Sequence, residues 1–167
     1  MAEEISFDEV RTNRQLESIV ELAGIIWEEH YTPIIGADQV EYMVSKFQSY
    51  TALKEELKNN NVHYYMIGRG GNLVGYSGVR LEDNALFLSK LYVLSSERGK
   101  GVGKKSIGSI IQLAKNNNIK LIYLTVNKEN LETIAAYKKM GFEIVCEVCA
   151  DIGSGYVMDD YKMELKL

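Results

Sequence analysis

Residues 88–105 read LSKLYVLSSERGKGVGKK. An apolar run that suits a strand gives way to a loop holding Gly99, Gly101 and Gly103, and Arg98, Lys100, Lys104 and Lys105 crowd the same positions. Just beyond it, Ile107, Ile110, Ile111 and Ala114 recur at helical spacing. A strand-to-helix turn offers unbonded N–H groups and the positive end of a helix dipole, which together attract anions. Glycines let the backbone come close to a ligand, and cations add charge-assisted hydrogen bonds. The chemistry implied is the grip of a ligand with several phosphate oxygens. Two common phosphate motifs fail on spacing. The P-loop would need a glycine where Arg98 stands and Ser or Thr where Lys105 stands, and the dinucleotide fingerprint needs G-x-G-x-x-G where this chain has G-x-G-x-G.

Cys146 and Cys149 form a C-x-x-C spacing, but FEIVCEV looks like a strand, and positions three apart on a strand face opposite ways. A zinc site would also need further ligands, and the only histidines, His30 and His63, lie far away. No metal is expected, and both thiols are read as reduced and partly buried. The net charge of −4 and pI near 5.3 argue against a broad basic face for nucleic acid. The opening MAEEISFDEV is acidic rather than apolar, and no run approaches the ~18 apolar residues of a membrane span. The expectation is a cytoplasmic protein without nucleic-acid or membrane partners, acting as monomer or homodimer.

The length of 167 residues suits one domain, 1–167. A short strand is predicted at 5–10. Leu16, Ile19, Val20, Ala23, Ile26 and Trp27 mark a helix over 13–30, and 37–58 reads as one or two more. Three strands follow as an antiparallel meander: VHYYMIGR, LVGYSGVRL and ALFLSKLYVL, separated by Gly70-Gly71-Asn72 and Glu82-Asp83-Asn84. After the loop and its helix, IKLIYLTV (119–126) is uniformly apolar, as befits a strand buried on both faces. Strand, helix, strand makes 85–94 and 119–126 a parallel pair. A helix at about 130–140 closes at Gly141, and FEIVCEV and YVMDDYKMELKL complete the sheet. The fold class is α+β.

Arg98-Gly99-Lys100-Gly101-Val102-Gly103 fits R-x-x-G-x-G and resembles the pyrophosphate loop of GCN5-related N-acetyltransferases. Residues 127–142, NKENLETIAAYKKMGF, resemble the family's second motif, with Asn130 seven positions before Tyr137 and Thr133 where the family has alanine. The resemblance covers roughly 62–165, and the helical first third resembles small bacterial polyamine-type acetyltransferases. It implies a mostly antiparallel sheet with one splayed parallel pair and helices on both faces. It further implies acetyl-coenzyme A as cosubstrate. The pantetheine arm would enter the gap along Leu91, Tyr92 and Val93, and the Val93 N–H would serve as oxyanion donor. The phosphates would sit on Arg98, Gly99, Lys100, Gly101, Val102, Gly103 and Lys104, with Asn130 and Tyr137 completing the coenzyme site.

By the same resemblance Tyr137 is the general acid that meets the departing thiolate. A phenol near pKa 10 is a weaker acid than a thiol near 8.5, so Tyr137 must be tuned, act in concert, or mainly hydrogen-bond the sulfur. Many relatives carry a glutamate base near the positions of Ser89 and Lys90, and this chain has none there. Glu28, Glu29, His30 and Tyr31 fall in the region that shapes the acceptor pocket, with His30 and Tyr31 as acceptor-binding candidates, and Asp159-Asp160 could attract a cationic amine. The expected activity is acetyl transfer to a primary amine of a small molecule, a polyamine among them, or of a peptide; the alternative is a non-catalytic acyl-coenzyme A-binding module.

Overall fold

The computed structural model describes residues 3–59 and 61–167. In chain order the elements are β1 (Ile5–Glu9), α1 (Asn13–Ile35), α2 (Ala37–Phe47), α3 (Tyr50–Asn59), β2 (Val62–Arg69), β3 (Asn72–Leu81), β4 (Leu86–Val93), a 3₁₀ turn (Ser95–Glu97), α4 (Val102–Asn116), β5 (Leu121–Asn127), α5 (Leu131–Lys139), β6 (Glu143–Gly153) and β7 (Tyr156–Lys166). The sheet runs β1-β2-β3-β4-β5-β7-β6. Every pairing is antiparallel except β4 with β5. The α+β class and its parallel pair are as the sequence predicts.

Local chemistry sets the helix boundaries. Thr12 Oγ1 accepts from the Gln15 N–H while Gln15 Oε1 accepts from the Thr12 N–H, a capping box that starts α1. The helix outruns the predicted end at residue 30 by one turn, carrying Pro33 inside it, and stops where Gly36 takes φ 86°. Residues 37–58 resolve into two helices, broken at Gln48, whose side chain is buried against the Tyr76 hydroxyl.

Helices cover both faces of the sheet. Leu16, Ile19, Ala23 and Ile26 of α1 and Leu53 of α3 pack with Tyr64 and Tyr76 on one side. Ile107, Ile110 and Ala114 of α4 and Ile134 and Tyr137 of α5 pack with Leu86, Leu88, Ile122 and Leu124 on the other. Glu143–Asp151 of β6 is exposed throughout, its two free cysteines included, and α1 and α2 reach the strand at Ile152. This corrects the expectation of partly buried thiols: FEIVCEV is a strand, but an uncovered one.

A β-bulge shapes β4. Gly78 pairs with Lys90 but Val79 with Leu88, which leaves Ser89 as the extra residue. The bulge reverses which faces the side chains take. Leu86 and Leu88 pack on the α4 side before it, and Leu91 does so after it. Lys90 and Tyr92 turn to the other face, where Lys90 Nζ meets Glu56 at 3.1 Å and Tyr92 stands 5.3 Å from the Tyr76 ring. β4 and β5 then pair only at Leu86–Ile122 and Phe87–Tyr123 and part beyond that point.

Candidate active site

The parting of β4 and β5 opens two connected hollows. The larger cleft, about 410 Å³, runs from Leu91 and Val93 over the glycine loop to α5. The smaller pocket, about 110 Å³, lies between α1, α2, β4, β5, α5 and β7. Tyr31, Leu91, Tyr92, Asn130, Thr133 and Tyr137 line both.

The cleft's floor is made of backbone. The Leu94 N–H donates to Val74 O on β3 at 2.9 Å. Strand alternation therefore points the N–H and C=O groups of Leu91 and Val93 the other way, into the gap. At the loop, the first helical hydrogen bond of α4 runs from the Lys105 N–H to Gly101 O. The N–H groups of Val102, Gly103 and Lys104 thus have no acceptor within the helix. Gly99 and Gly101 take φ 74° and 81°, which accounts for glycine at both. Gly103 is different. Its φ is not positive, and a Cβ built there meets nothing within 4 Å. Neither strain nor crowding within the chain demands glycine at 103. By contrast a Cβ at Gly75 would strike Tyr92 O at 2.5 Å, so that glycine serves packing.

The loop's cations are unequally engaged. Arg98 Nη2 lies 2.6 Å from His30 Nδ1 and Nη1 3.8 Å from Glu132, and Lys100 faces Glu97 at 3.7 Å. Among the described residues Lys104 and Lys105 make no ion pair. Of the residues predicted to hold the coenzyme, all but Lys100 line the cleft. Lys100 is turned to Glu97, which Arg69 also holds.

His30 lines the cleft, not the smaller pocket. Arg98 can only donate, so His30 Nδ1 accepts and Nε2 carries the hydrogen, donating to Asn130 Oδ1 at 3.1 Å. Burial, and then Arg98, hold its pKa below the ordinary histidine value, which favours this neutral form. One turn of α1 thus braces the loop twice, because Glu29 Oε1 also accepts from the Ser95 N–H at 2.7 Å. Tyr31 turns inward to stack on Trp27, with ring centroids 4.3 Å apart.

Tyr137 owes its position to a helix cap. The Phe142 N–H donates to Tyr137 O and the Gly141 N–H to Lys138 O, both backbone bonds of a Schellman motif, with Gly141 at φ 102°. The accompanying apolar contact is Phe142 against the Tyr137 ring, centroids 5.3 Å apart. The Y-x-K-x-G-F pattern is therefore a clamp that fixes one phenol at the junction of cleft and pocket. Burial, with Tyr31 second, pushes the Tyr137 pKa above the ordinary tyrosine value. That makes it a reluctant proton donor whose hydroxyl keeps its hydrogen to offer in a hydrogen bond.

The smaller pocket is walled by Trp27, Tyr31, Tyr92 and Met43 and contains Asp160 of β7, which is 4 % exposed. Burial, and then Asp159, push the Asp160 carboxyl up to about 6. Tyr31 is pushed up to about 12, by burial first and Asp160 second. Of the two positions where relatives place a base, Ser89 lines this pocket and Lys90 lines neither hollow. The sequence flagged Asp160 only as half of an acidic pair and gave no sign of Trp27 or Met43 as walls. Among the described residues no cluster of His, Cys, Asp or Glu is suited to a metal ion, and no helix is long and apolar enough to cross a membrane.

β4 and β5 thus part over a cleft lined by backbone amides. The sequence profile of the Acetyltransferase (GNAT) family matches residues 20–142, and the chain belongs to that family. Acetyl-coenzyme A is the family's acyl donor. The fold matches the crystal structure of PaiA N-acetyltransferase from Thermoplasma acidophilum in complex with coenzyme A, with TM-score 0.81, 21% identity, and 98% of this chain and 99% of that one covered. The spermine/spermidine N(1)-acetyltransferase of Bacillus subtilis is 28% identical over 130 residues, 71% of this chain and 84% of that protein. An uncharacterized N-acetyltransferase of the same organism, YobR, is 40% identical over 60 residues; the match takes in 36% of this chain and only 24% of that protein's length.

Proposed function

We propose that this protein transfers the acetyl group of acetyl-coenzyme A to a primary amine of a small molecule, with polyamines as the favoured class. The observation that carries the reading is the continuity of the two hollows with Tyr137 fixed between them. The cleft fits the donor. Free backbone groups at Leu91 and Val93 suit an amide-bearing arm laid in like an added strand. The unbonded amides of Val102, Gly103 and Lys104, with Arg98 and Lys104 beside them, suit phosphates. The likeness to a spermine/spermidine acetyltransferase supports the acceptor class.

The residues divide the work. The Val93 N–H points into the gap, where it stabilises the thioester oxygen as negative charge gathers on it. The neutral amine forms the new C–N bond from the pocket side, and the C–S bond breaks as the oxygen's charge returns. The Tyr137 hydroxyl meets the departing sulfur with a hydrogen bond. The amine's surplus proton leaves through water, because no carboxylate occupies Ser89 or Lys90.

The test is an amine panel scored by free thiol, together with calorimetry of acetyl-coenzyme A. Binding with thiol release on a primary amine is the expected result. Binding without release on any amine would leave a coenzyme-binding module instead, and no binding at low salt would remove the reading altogether.

A further inference from the structure

Among the described residues, the carboxylate in the smaller pocket makes no ion pair. Asp160 is buried, and the nearest ammonium, on Lys128, is spent on Asp159 at 2.9 Å and Glu147 at 3.0 Å. Three aromatic rings share the pocket with it: Trp27 lies 4.3 Å from Tyr31 and 5.4 Å from Tyr92 between centroids. Ring faces attract cations. A buried charge without a partner is costly, and an incoming opposite charge relieves that cost. Carboxylate and rings together form a receptor for an organic cation.

We propose that Asp160 is the counter-ion for an ammonium group of the acceptor that does not react, so that the preferred acceptor is a diamine. This rests on the acetyltransferase reading. One nitrogen, neutral, attacks near Tyr137; the second stays charged against Asp160. The alternative is Asp160 as the base, a role that a carboxyl pushed up to about 6 also suits. A base acts on monoamine and diamine alike, whereas a counter-ion favours the diamine, so comparing the two amines separates the roles.

The surroundings allow this ionisation to be isolated. Asp159 on the same strand opposes ionisation of Asp160, and Thr125 and Lys128 from β5 and its end favour it. Tyr31 from α1, pushed up to about 12, and Tyr137 from α5, pushed above its ordinary value, both stay neutral across the working range.

The experiment compares 1,4-diaminobutane with n-butylamine. Both are titrated calorimetrically into the protein saturated with coenzyme A, and both are assayed as acceptors by thiol release from acetyl-coenzyme A. For the native chain, diamine affinity is expected to exceed butylamine affinity and to fall as pH drops through about 6. Asp160→Asn should cut the diamine-to-monoamine ratio of kcat/KM by about 10- to 100-fold, the scale of a lost hydrogen bond to charge, and abolish that acid limb. Asp160→Glu should restore part of the ratio. An unchanged ratio in Asp160→Asn overturns the proposal, and so does a native protein that binds the two amines equally. The native pH titration needs no variant, so a misfolded Asp160→Asn protein does not shield the idea. Diamine binding that depends on Asp160 without thiol release would keep the cation site and sink the transferase reading; thiol release indifferent to Asp160 would do the reverse.

Discussion

The two hollows are built on different plans. The cleft takes most of its lining from residues 91–104 and α5, with Ile26, His30 and Tyr31 of α1 along one side, and its working groups are largely backbone amides. The pocket draws side chains from α1, α2, β4, β5, α5 and β7, brought together only by the packed fold. Backbone geometry is set by local glycine and strand patterns and tolerates change at few positions. A pocket of side chains can be rebuilt by substitution on any of six elements. A cleft that stays fixed beside a pocket that can vary is what a shared donor and a private acceptor require.

Tyr137 stands in both regions and gives the largest expected effect. Tyr137→Phe should lower kcat about 10²-fold, the low end for a proton donor, because burial makes the phenol a hydrogen-bond partner more than an acid. Both KM values should move little in steady-state thiol-release assays. An unchanged kcat would reduce Tyr137 to a packing partner of Phe142.

Gly103→Val separates the regions. It should weaken acetyl-coenzyme A binding by about tenfold or more, on the scale of hydrogen bonds to a charged group, while the amine KM and the thermal midpoint stay near native. Gly101 would be a poorer choice, because φ 81° makes any side chain there strained and confuses binding with folding. A folded Gly103→Val protein with native coenzyme affinity would break the distinction between the two plans.

The regions should also respond oppositely to acid. Asp160 is raised in the fold, so its burial costs stability above about pH 6 and that cost disappears as pH falls toward its ordinary value. Asp160→Asn should therefore raise the melting midpoint by a few degrees at pH 7.5 and by nothing near pH 4. His30 is lowered in the fold, so its contribution is full above the ordinary histidine value and is lost as pH drops below it. His30→Gln should flatten the fall of the melting midpoint in that acidic window. Melting curves and calorimetry at several pH values check both, and matching trends in the two variants would sink the contrast.

The smallest effect concerns salt. Lys104→Ala combined with Lys105→Ala should weaken the coenzyme severalfold and flatten its salt dependence, since these exposed cations are screened over about 10 Å at 0.1 M. Diamine binding at the enclosed Asp160 should respond less.

What could be read in advance follows the same division. R-x-x-G-x-G and Y-x-K-x-G-F are visible because each encodes a local backbone event, a helix N-terminus and a Schellman cap. His30 was read toward the acceptor, yet it braces Arg98, because the facing of a residue late in α1 depends on where the loop docks. Asp160 looked like half of a solvated pair. Its burial exists only because β5 leaves β4 while α1 and α2 close over the opening, and none of those contacts is near it in sequence. The exposure of the cysteines is hidden from the sequence for a similar reason: strand character is local, but whether a helix covers that part of the strand is not.

The brief union of β4 and β5 has a mechanical meaning. Two residue pairs, Leu86–Ile122 and Phe87–Tyr123, are all the backbone stitching between the four-stranded and three-stranded halves of the sheet. Beyond those stitches the halves are joined by the helical layers alone, so the line between them is a tear seam. Whatever lies in the seam becomes thread. In hydrogen-exchange measurements the amides of Leu91 and Val93 should exchange freely without coenzyme and become protected with it, while Leu94, already bonded to Val74, should scarcely change. The donor would then be a temporary strand of the protein as well as its reagent, and each turnover would sew the sheet shut and unpick it again.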